Sequence, residues 1–275
     1  VTARATSPIR TVLIGATGRM GHEVLRVFRE YPALKLTGAV ASTWNVALGE
    51  DAGIGAGLGA IGVPVSADLP ALLGSAQLAI DFSTAEAASS HVAACAQARV
   101  PLLLGTTGLP AELEGTLASA ALAIPLLAAP NTSLGIAVLV ELVRQAATAL
   151  PADYDIEIVE THHRHKRDAP SGTAIALGAA AASARGVEFT GPPGSAGASG
   201  RRSTGQVGFA SVRGGDAVGE HTVLFLGQGE RLSLQHAATD RAVFARGALR
   251  AGQWLAAQPP GRYRMSDVFS SKSDG

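Results

Sequence analysis

The chain has 275 residues, 47% hydrophobic and 16% charged, which is enough apolar material for a substantial core and excludes a disordered chain. Its 22 basic and 22 acidic residues balance, so no overall field draws it to nucleic acid or to an anionic membrane, and any anion must be held locally. The single cysteine, Cys95, can form no internal disulfide, which fits a reducing cytoplasm.

Val1 to Arg10 lacks the apolar run of a signal peptide, and the most apolar stretch, Leu117 to Pro130, is too short to span a bilayer. A soluble protein of two modest domains is the expectation. A β-rich run, Arg10 to Ile14, leads into Gly15–Gly21 (GATGRMG) and then an amphipathic stretch, His22 to Tyr31. Strand, glycine turn and helix in that order open a βαβ unit. Leu34 to Ala41 reads as the second strand and the glycine-rich Thr43 to Val63 as loop. Alternation then resumes: strand Leu78–Phe82, helix Ala85–Ala98, strand Pro101–Leu104, helix Pro110–Ala121, strand Ile124–Ala128. Strands that are apolar throughout, separated by helix-length segments, predict a parallel sheet covered on both faces.

After Asn131 the pattern changes. A helix (Gly135–Ala149), a strand (Tyr154–Thr161) and an Ala-rich helix (Thr173–Ala184) precede a Gly/Ser/Pro-rich, basic loop, Gly191–Gly205. Three β runs from Gln206 to Thr239, broken at Gly214-Gly215-Asp216 and Gly227-Gln228-Gly229, predict a largely antiparallel meander. The predicted fold is therefore α/β. A Rossmann-type, doubly wound parallel sheet (1–130, completed by a C-terminal helix, 241–275) precedes an α+β domain (131–240) with an open mixed or antiparallel sheet. The first is expected to bind a dinucleotide, the second to bind substrate and to oligomerise.

In the glycine turn, Gly15 permits the tight turn, Gly18 lets backbone approach a pyrophosphate, and Gly21 allows close helix packing; the helix start then presents N–H groups to phosphate. The spacing is GxxGxxG, and glycine turns also join strands to helices without any ligand. The second-strand acid that usually grips the adenosine ribose is absent, the region reading Ala39-Val40-Ala41-Ser42-Thr43-Trp44. Arg19 could meet a 2′-phosphate and Ser42 or Thr43 would not repel one, so the expected cofactor, if this turn binds a dinucleotide, is NADPH or NADH. A Tyr31/Lys35 pair at dehydrogenase-like spacing lies far from the C-terminal strand ends and reads as accidental.

The densest chemistry is Glu160 to Ala174, ETHHRHKRDAPSGTA. Ser171 is a natural N-cap, and the amides of Gly172 and Thr173 would cradle an anion at a helix start, although an ordinary capped helix has the same sequence. His162 is a candidate proton donor near neutral pH, and Lys166 can neutralise a carboxylate. His163 and His165 with Asp168 or Glu160 could begin a zinc site, but no further His/Cys cluster supplies the remaining ligands.

Together these residues resemble the dihydrodipicolinate reductase family in matching order along nearly the whole chain. GATGRMG (including Ala16, Thr17, Arg19 and Met20) resembles its cofactor turn, Gly105-Thr106-Thr107-Gly108 its loop beside the nicotinamide, and Ala129-Pro130-Asn131-Thr132 its segment crossing between domains. ETHHRHKRDAPSGTA is similar to its signature, and Gly208-Phe209-Ala210 through Gly219-Glu220-His221-Thr222 extends it. The resemblance implies His162 as proton donor and Lys166 as catalytic partner. It also implies His163, Ser171, Gly172, Thr173 and Arg241 as residues holding a small cyclic dicarboxylate, and a homotetramer built through the second-domain sheet. No metal is implied. Two other classes stay open at this stage: a non-catalytic NADP-sensing protein and a metal hydrolase.

Overall fold

The computed structural model describes residues 7–189, 191 and 205–270, so the predicted loop between Gly191 and Gly205 lies outside the described residues apart from its two ends. The chain divides into two compact units, Val1–Ser133 with Ala242–Gly275, and Leu134–Arg241.

The first unit opens with β1 (Ile9–Ile14), α1 (Arg19–Val27), β2 (Leu34–Val40), α2 (Ala52–Gly55), β3 (Val65–Ser66), α3 (Leu69–Leu73), β4 (Leu78–Asp81), α4 (Ala85–Ala98), β5 (Leu102–Leu104), α5 (Leu113–Ala121) and β6 (Pro125–Ala128). The second comprises α6 (Leu134–Ala149), β7 (Asp155–His162), α7 (Gly172–Ala184), β8 (Val207–Arg213), β9 (Gly219–Leu226) and β10 (Arg231–Ala238). The chain then returns to the first with α8 (Ala242–Leu255), β11 (Gly261–Tyr263) and α9 (Asp267–Ser270).

The first sheet runs β11-β6-β5-β4-β1-β2-β3, parallel throughout. Its apolar strands are buried on both faces. Val12, Ile14, Ala79, Leu102, Leu104 and Leu126 pack with residues of α3, α4 and α5, while alternate residues such as Leu13, Ile80, Leu103 and Leu127 are equally buried on the other side. There α8 approaches so closely that a Cβ on Gly252 would come within 3.0 Å of Leu78. Each leucine of β5 contributes roughly 1.5–3 kcal/mol by its burial.

Four elements escaped the sequence: β3, α3, α2 inside the expected Thr43–Val63 loop, and β11, which breaks the expected C-terminal helix so that α8 ends at Leu255. None exceeds five residues, too short for a hydrophobic period to show. The glycine-rich loop is nevertheless ordered, because the Asp51 carboxylate accepts hydrogen bonds from the N–H groups of Gly53, Ile61, Gly62 and Val63. Tyr31 donates its hydroxyl to the Arg246 carbonyl at 2.9 Å, a structural role in keeping with the accidental reading of the Tyr31/Lys35 spacing.

The second unit corrects the meander. Its sheet runs β10-β9-β7-β8, so β8 does not pair with β9; β7 lies between them, parallel to β8 and antiparallel to β9. The reason is the α7 crossover, which returns the chain alongside β7 in the same direction, as a helical connection between parallel strands does. Only β9 and β10 form the expected hairpin pair. Helices α6 and α7 bury one face through Leu139, Val143, Leu177, Ile158, Val223 and Phe225.

Candidate active site

Register builds the second unit's polar cluster. In β7 the side chains of Ile156, Ile158, Glu160 and His162 are buried, while the alternate positions Glu157, Val159 and Thr161 are half-exposed. Parallel pairing sets His162 beside Arg213 of β8, antiparallel pairing sets Glu160 beside His221 of β9, and His221 in turn faces His236 of β10. Apolar neighbours toward the strands' start thus give way to charged ones at one end of the same face.

Glu160, 1% exposed, is the hub. Arg213 grips it with two parallel bonds, Nη1 to Oε2 at 2.9 Å and Nη2 to Oε1 at 2.7 Å, the fork geometry that makes guanidinium–carboxylate pairs strong. The His162 Nδ1–H donates to Oε2, and the Ser171 N–H to Oε1 at 3.3 Å. Burial alone would raise this carboxyl, but hydrogen bonds from Arg213, Ser211 and His162 outweigh it and bring it down to about 2. An ionised Glu160 therefore fixes the His162 ring with Nδ1 protonated and Nε2 turned away. Gly219 leaves the room for that nitrogen, since a Cβ there would come within 3.0 Å of it.

Burial pulls the His162 imidazolium below its usual range against the opposing hydrogen bond and charge of Glu160, and the positive charges of Lys166 and Arg213 add to the lowering. The Lys166 ammonium pairs with Asp168 at 2.9 Å, half-buried at the cluster's edge. His221, 3% exposed, packs edge-on against the His162 ring at 5.1 Å and places Nε2 3.0 Å from the Ser171 hydroxyl. Burial first, and the neighbouring His162 second, push it down to about 4.

Ser171 caps α7 as its sequence predicted, its hydroxyl accepting from the Ala174 N–H at 3.2 Å. The Gly172 N–H, one turn-start amide of the helix, has no hydrogen-bond partner among the described residues. His163 is half-buried and His165 exposed, their rings 6.3 Å apart. Among the described residues no group of three or more His, Cys, Asp or Glu could hold a metal ion. Arg241, the last residue of the unit, is half-buried with no side-chain hydrogen bond among the described residues. The structure thus brings His162, Lys166 and Ser171 into one network with Glu160, Arg213 and His221. Arg213 and His221 are not among the site residues that the sequence singles out, because an arginine so far along the chain from His162 gives no local signal.

The first unit supplies a second candidate region made of backbone. Gly15 adopts φ +78°, and a Cβ there would come within 2.6 Å of the Phe82 carbonyl; a Cβ on Gly21 would come within 2.2 Å of the Gly15 carbonyl. Gly18 caps α1 without a side-chain bond and, with Gly15, lines a cavity of about 370 Å³. Thr17, Ser42, Asn45, Ser83 and His91 also line it, and Asn45 donates to the Thr17 hydroxyl at 2.9 Å. Arg19 is exposed without a hydrogen bond among the described residues, and Met20 begins the half-buried side of the helix. A neighbouring cavity of about 410 Å³ is lined by Thr106, Gly108, Ala129 and Pro130. The Thr106 hydroxyl is buried there with no partner among the described residues, Gly105 lies over the Phe82 ring, and Thr107 is exposed. Thr132 donates to the Phe244 carbonyl at 2.7 Å, and Asn131 Oδ1 accepts from the Ser133 N–H. A glycine turn packed too tightly for any side chain beside an open cavity, and a buried hydroxyl without a partner among the described residues, are features that suit a bound dinucleotide.

A Rossmann-type unit joined to an α+β unit with a buried acid–histidine cluster defines a class of two-domain dinucleotide-dependent enzymes. The comparisons narrow the class. Residues 9–132 match the model described as dihydrodipicolinate reductase, N-terminus, and residues 135–269 the one described as dihydrodipicolinate reductase, C-terminus. The chain belongs to the dihydrodipicolinate reductase family. It is 48% identical over 266 residues to the 4-hydroxy-tetrahydrodipicolinate reductase of Anaeromyxobacter dehalogenans, covering 94% of this chain and 97% of that one. With the Halorhodospira halophila protein of the same name it shares 45% over 259 residues, at 94% and 97% coverage. Among solved structures, the dipicolinate-bound dihydrodipicolinate reductase from Paenisporosarcina sp. TG-14 superposes with a TM-score of 0.74 at 24% identity, covering 94% of this chain and 97% of that one, which establishes the common fold. No helix among the described residues is long and apolar enough to cross a membrane.

Proposed function

We infer that this chain is an oxidoreductase that converts 4-hydroxy-tetrahydrodipicolinate to tetrahydrodipicolinate with NADH or NADPH, a step of lysine and diaminopimelate biosynthesis. The observation that carries the reading is the buried Glu160–His162 pair clamped by Arg213 beside the capped start of α7, in a chain whose curated relatives share that activity's name. Gly15, Ala16, Thr17, Gly18, Arg19 and Met20 would hold the pyrophosphate and adenosine end of the cofactor; Gly105, Thr106, Thr107 and Ala129 to Thr132 would hold the nicotinamide end. When bound, the cofactor supplies a hydride to a ring carbon of the substrate after water has left.

The chain's own residues supply the rest. The Gly172 and Thr173 amides, the Ser171 hydroxyl, His163, Lys166 and Arg241 hold the two carboxylates. His162 delivers from Nε2 the proton that the neighbouring ring carbon takes as hydride arrives, and Glu160, held ionised by Arg213, carries the ring through its charged form. Burial leaves the free His162 largely neutral near pH 7. A bound dianion beside it favours the imidazolium, so substrate and proton enter together.

The second-unit sheet has helices on one face, while Val159, Leu224 and Leu226 on the other are half-buried, the pattern of a face awaiting a second copy. That face supports a homotetramer built through it, and light scattering at micromolar concentration tests it: a monomer mass would refute it. Cys95, buried and pushed up to about 12 by that burial, is inert, in keeping with a cytoplasmic enzyme. The activity is tested by adding the product of dihydrodipicolinate synthase to the enzyme and NADPH. Nicotinamide absorbance should fall with substrate and be indifferent to chelators; a flat trace would overturn the reading.

A further inference from the structure

The proposed mechanism uses Ser171 but leaves His221 unexplained. A histidine 3% exposed, with Nδ1 buried and without a partner among the described residues, is a costly thing to keep in a core. Among the titratable groups around the ring, Glu160 is already committed to Arg213 and His162, Lys166 adds a positive charge, and His162 and His236 are themselves held below their usual range by burial. An added proton is disfavoured by burial and by those neighbours, so at neutral pH the ring carries one hydrogen, on one nitrogen or the other.

Which nitrogen decides what Ser171 can do. The Ser171 oxygen already accepts from the Ala174 N–H at 3.2 Å and lies 3.0 Å from His221 Nε2. With the hydrogen on Nδ1, an N–H donor is orphaned in the core, and the serine proton must point inward to Nε2. With it on Nε2, only a lone pair is orphaned, the lesser defect. The Ser171 oxygen then accepts from two N–H groups, and its own hydrogen is free to donate elsewhere. A hydroxyl saturated as an acceptor in this way is a dedicated donor, which suits an anion and nothing that must donate back.

We propose that His221 is a positioning residue for the substrate: as an Nε2–H donor to the Ser171 oxygen it turns the serine hydroxyl outward to a substrate carboxylate. The proposal rests on the reading that Ser171 faces that carboxylate, and the test separates the two. Ser171→Ala should weaken pyridine-2,6-dicarboxylate binding and raise the substrate KM about tenfold or more, with the KM for NADPH unmoved. His221→Leu, which keeps the serine hydroxyl but leaves it unoriented, should move binding and KM the same way by a smaller factor, and the double variant should be no worse than Ser171→Ala, because His221 acts only through that hydroxyl. His221→Gln, whose amide N–H₂ can reach the same oxygen, should recover most of the loss. An unaffected Ser171→Ala overturns the carboxylate seat itself. A weakened Ser171→Ala beside a silent or additive His221→Leu, or a His221→Gln as poor as His221→Leu, overturns the role of His221 alone. Should the leucine variant fail to fold, ¹⁵N NMR of the wild-type ring decides: a hydrogen on Nε2 supports the assignment, and one on Nδ1 overturns it.

Discussion

The candidate sites of the two units are built by opposite means. In the first the candidate surface is backbone: Gly15 and Gly21 stand where a Cβ would strike neighbouring main chain, and the helix start has no side-chain cap. In the second it is side chains brought together from β7, β8, β9 and the start of α7, every one of them held by another. A backbone cradle tolerates change around it but not the addition of one carbon. A side-chain network tolerates no lost partner, because the survivor is left charged or unsatisfied in the core.

The largest effect should come from chemistry. His162→Gln keeps size and polarity but cannot titrate, and kcat should fall about 10²–10⁴-fold with cofactor affinity nearly unchanged, while His165→Gln, exposed and outside the network, serves as control. Steady-state kinetics with both substrates varied checks this; equal losses in the two variants would erase the distinction between network and surface.

Next comes the support. Arg213→Met leaves Glu160 buried without its cation, a change that costs about 3–5 kcal/mol by urea unfolding at pH 7. The pH dependence has a definite sign. The Glu160 carboxyl is depressed to about 2 in the fold from an ordinary 4.5, so its contribution is complete above 4.5 and is lost as pH falls from there toward 2. The variant should lack most of that acid-side decline.

Gly21→Ala tests the other region. Its Cβ would lie 2.2 Å from the Gly15 carbonyl, backbone that cannot swing aside, and overpacking of this kind costs about 1–3 kcal/mol. Calorimetry should show NADPH binding impaired and pyridine-2,6-dicarboxylate binding kept; loss of both would mean the two preparations are not independent. The smallest effect concerns cofactor choice. With Ser42 where an acid would repel a 2′-phosphate, NADPH should serve at least as well as NADH, and an NADH preference beyond about tenfold, or 1.4 kcal/mol, would place selectivity elsewhere.

The same contrast governs how much of each unit is legible in the amino-acid sequence. The glycine turn is legible because its geometry is local: Gly15, Gly18 and Gly21 sit within one strand-turn-helix, and α4 falls at the residues its composition predicts, Ala85–Ala98. The density of ETHHRHKRDAPSGTA likewise marks one half of the cluster, including the Ser171 cap. Its other half is invisible there. Arg213 and His221 reach Glu160 only through strand register, and register depends on β8 lying parallel to β7, whereas the turn signals between the β runs predict a plain meander. Alternation in a strand shows which residues share a face but is silent on the neighbouring strand.

The central claim is that His162, oriented by Glu160, gives the proton, and the pH dependence of the wild-type enzyme beside His162→Gln tests it most directly. Burial lowers the free His162 below its usual range, so kcat/KM for substrate should fall as pH rises through a value under 6.5. The bound dianion favours the imidazolium, so the matching limb of kcat should lie at higher pH. In His162→Gln both limbs should vanish, leaving a low, flat profile. A falling limb that survives in the variant with its midpoint unmoved would contradict the account and assign the proton to another group.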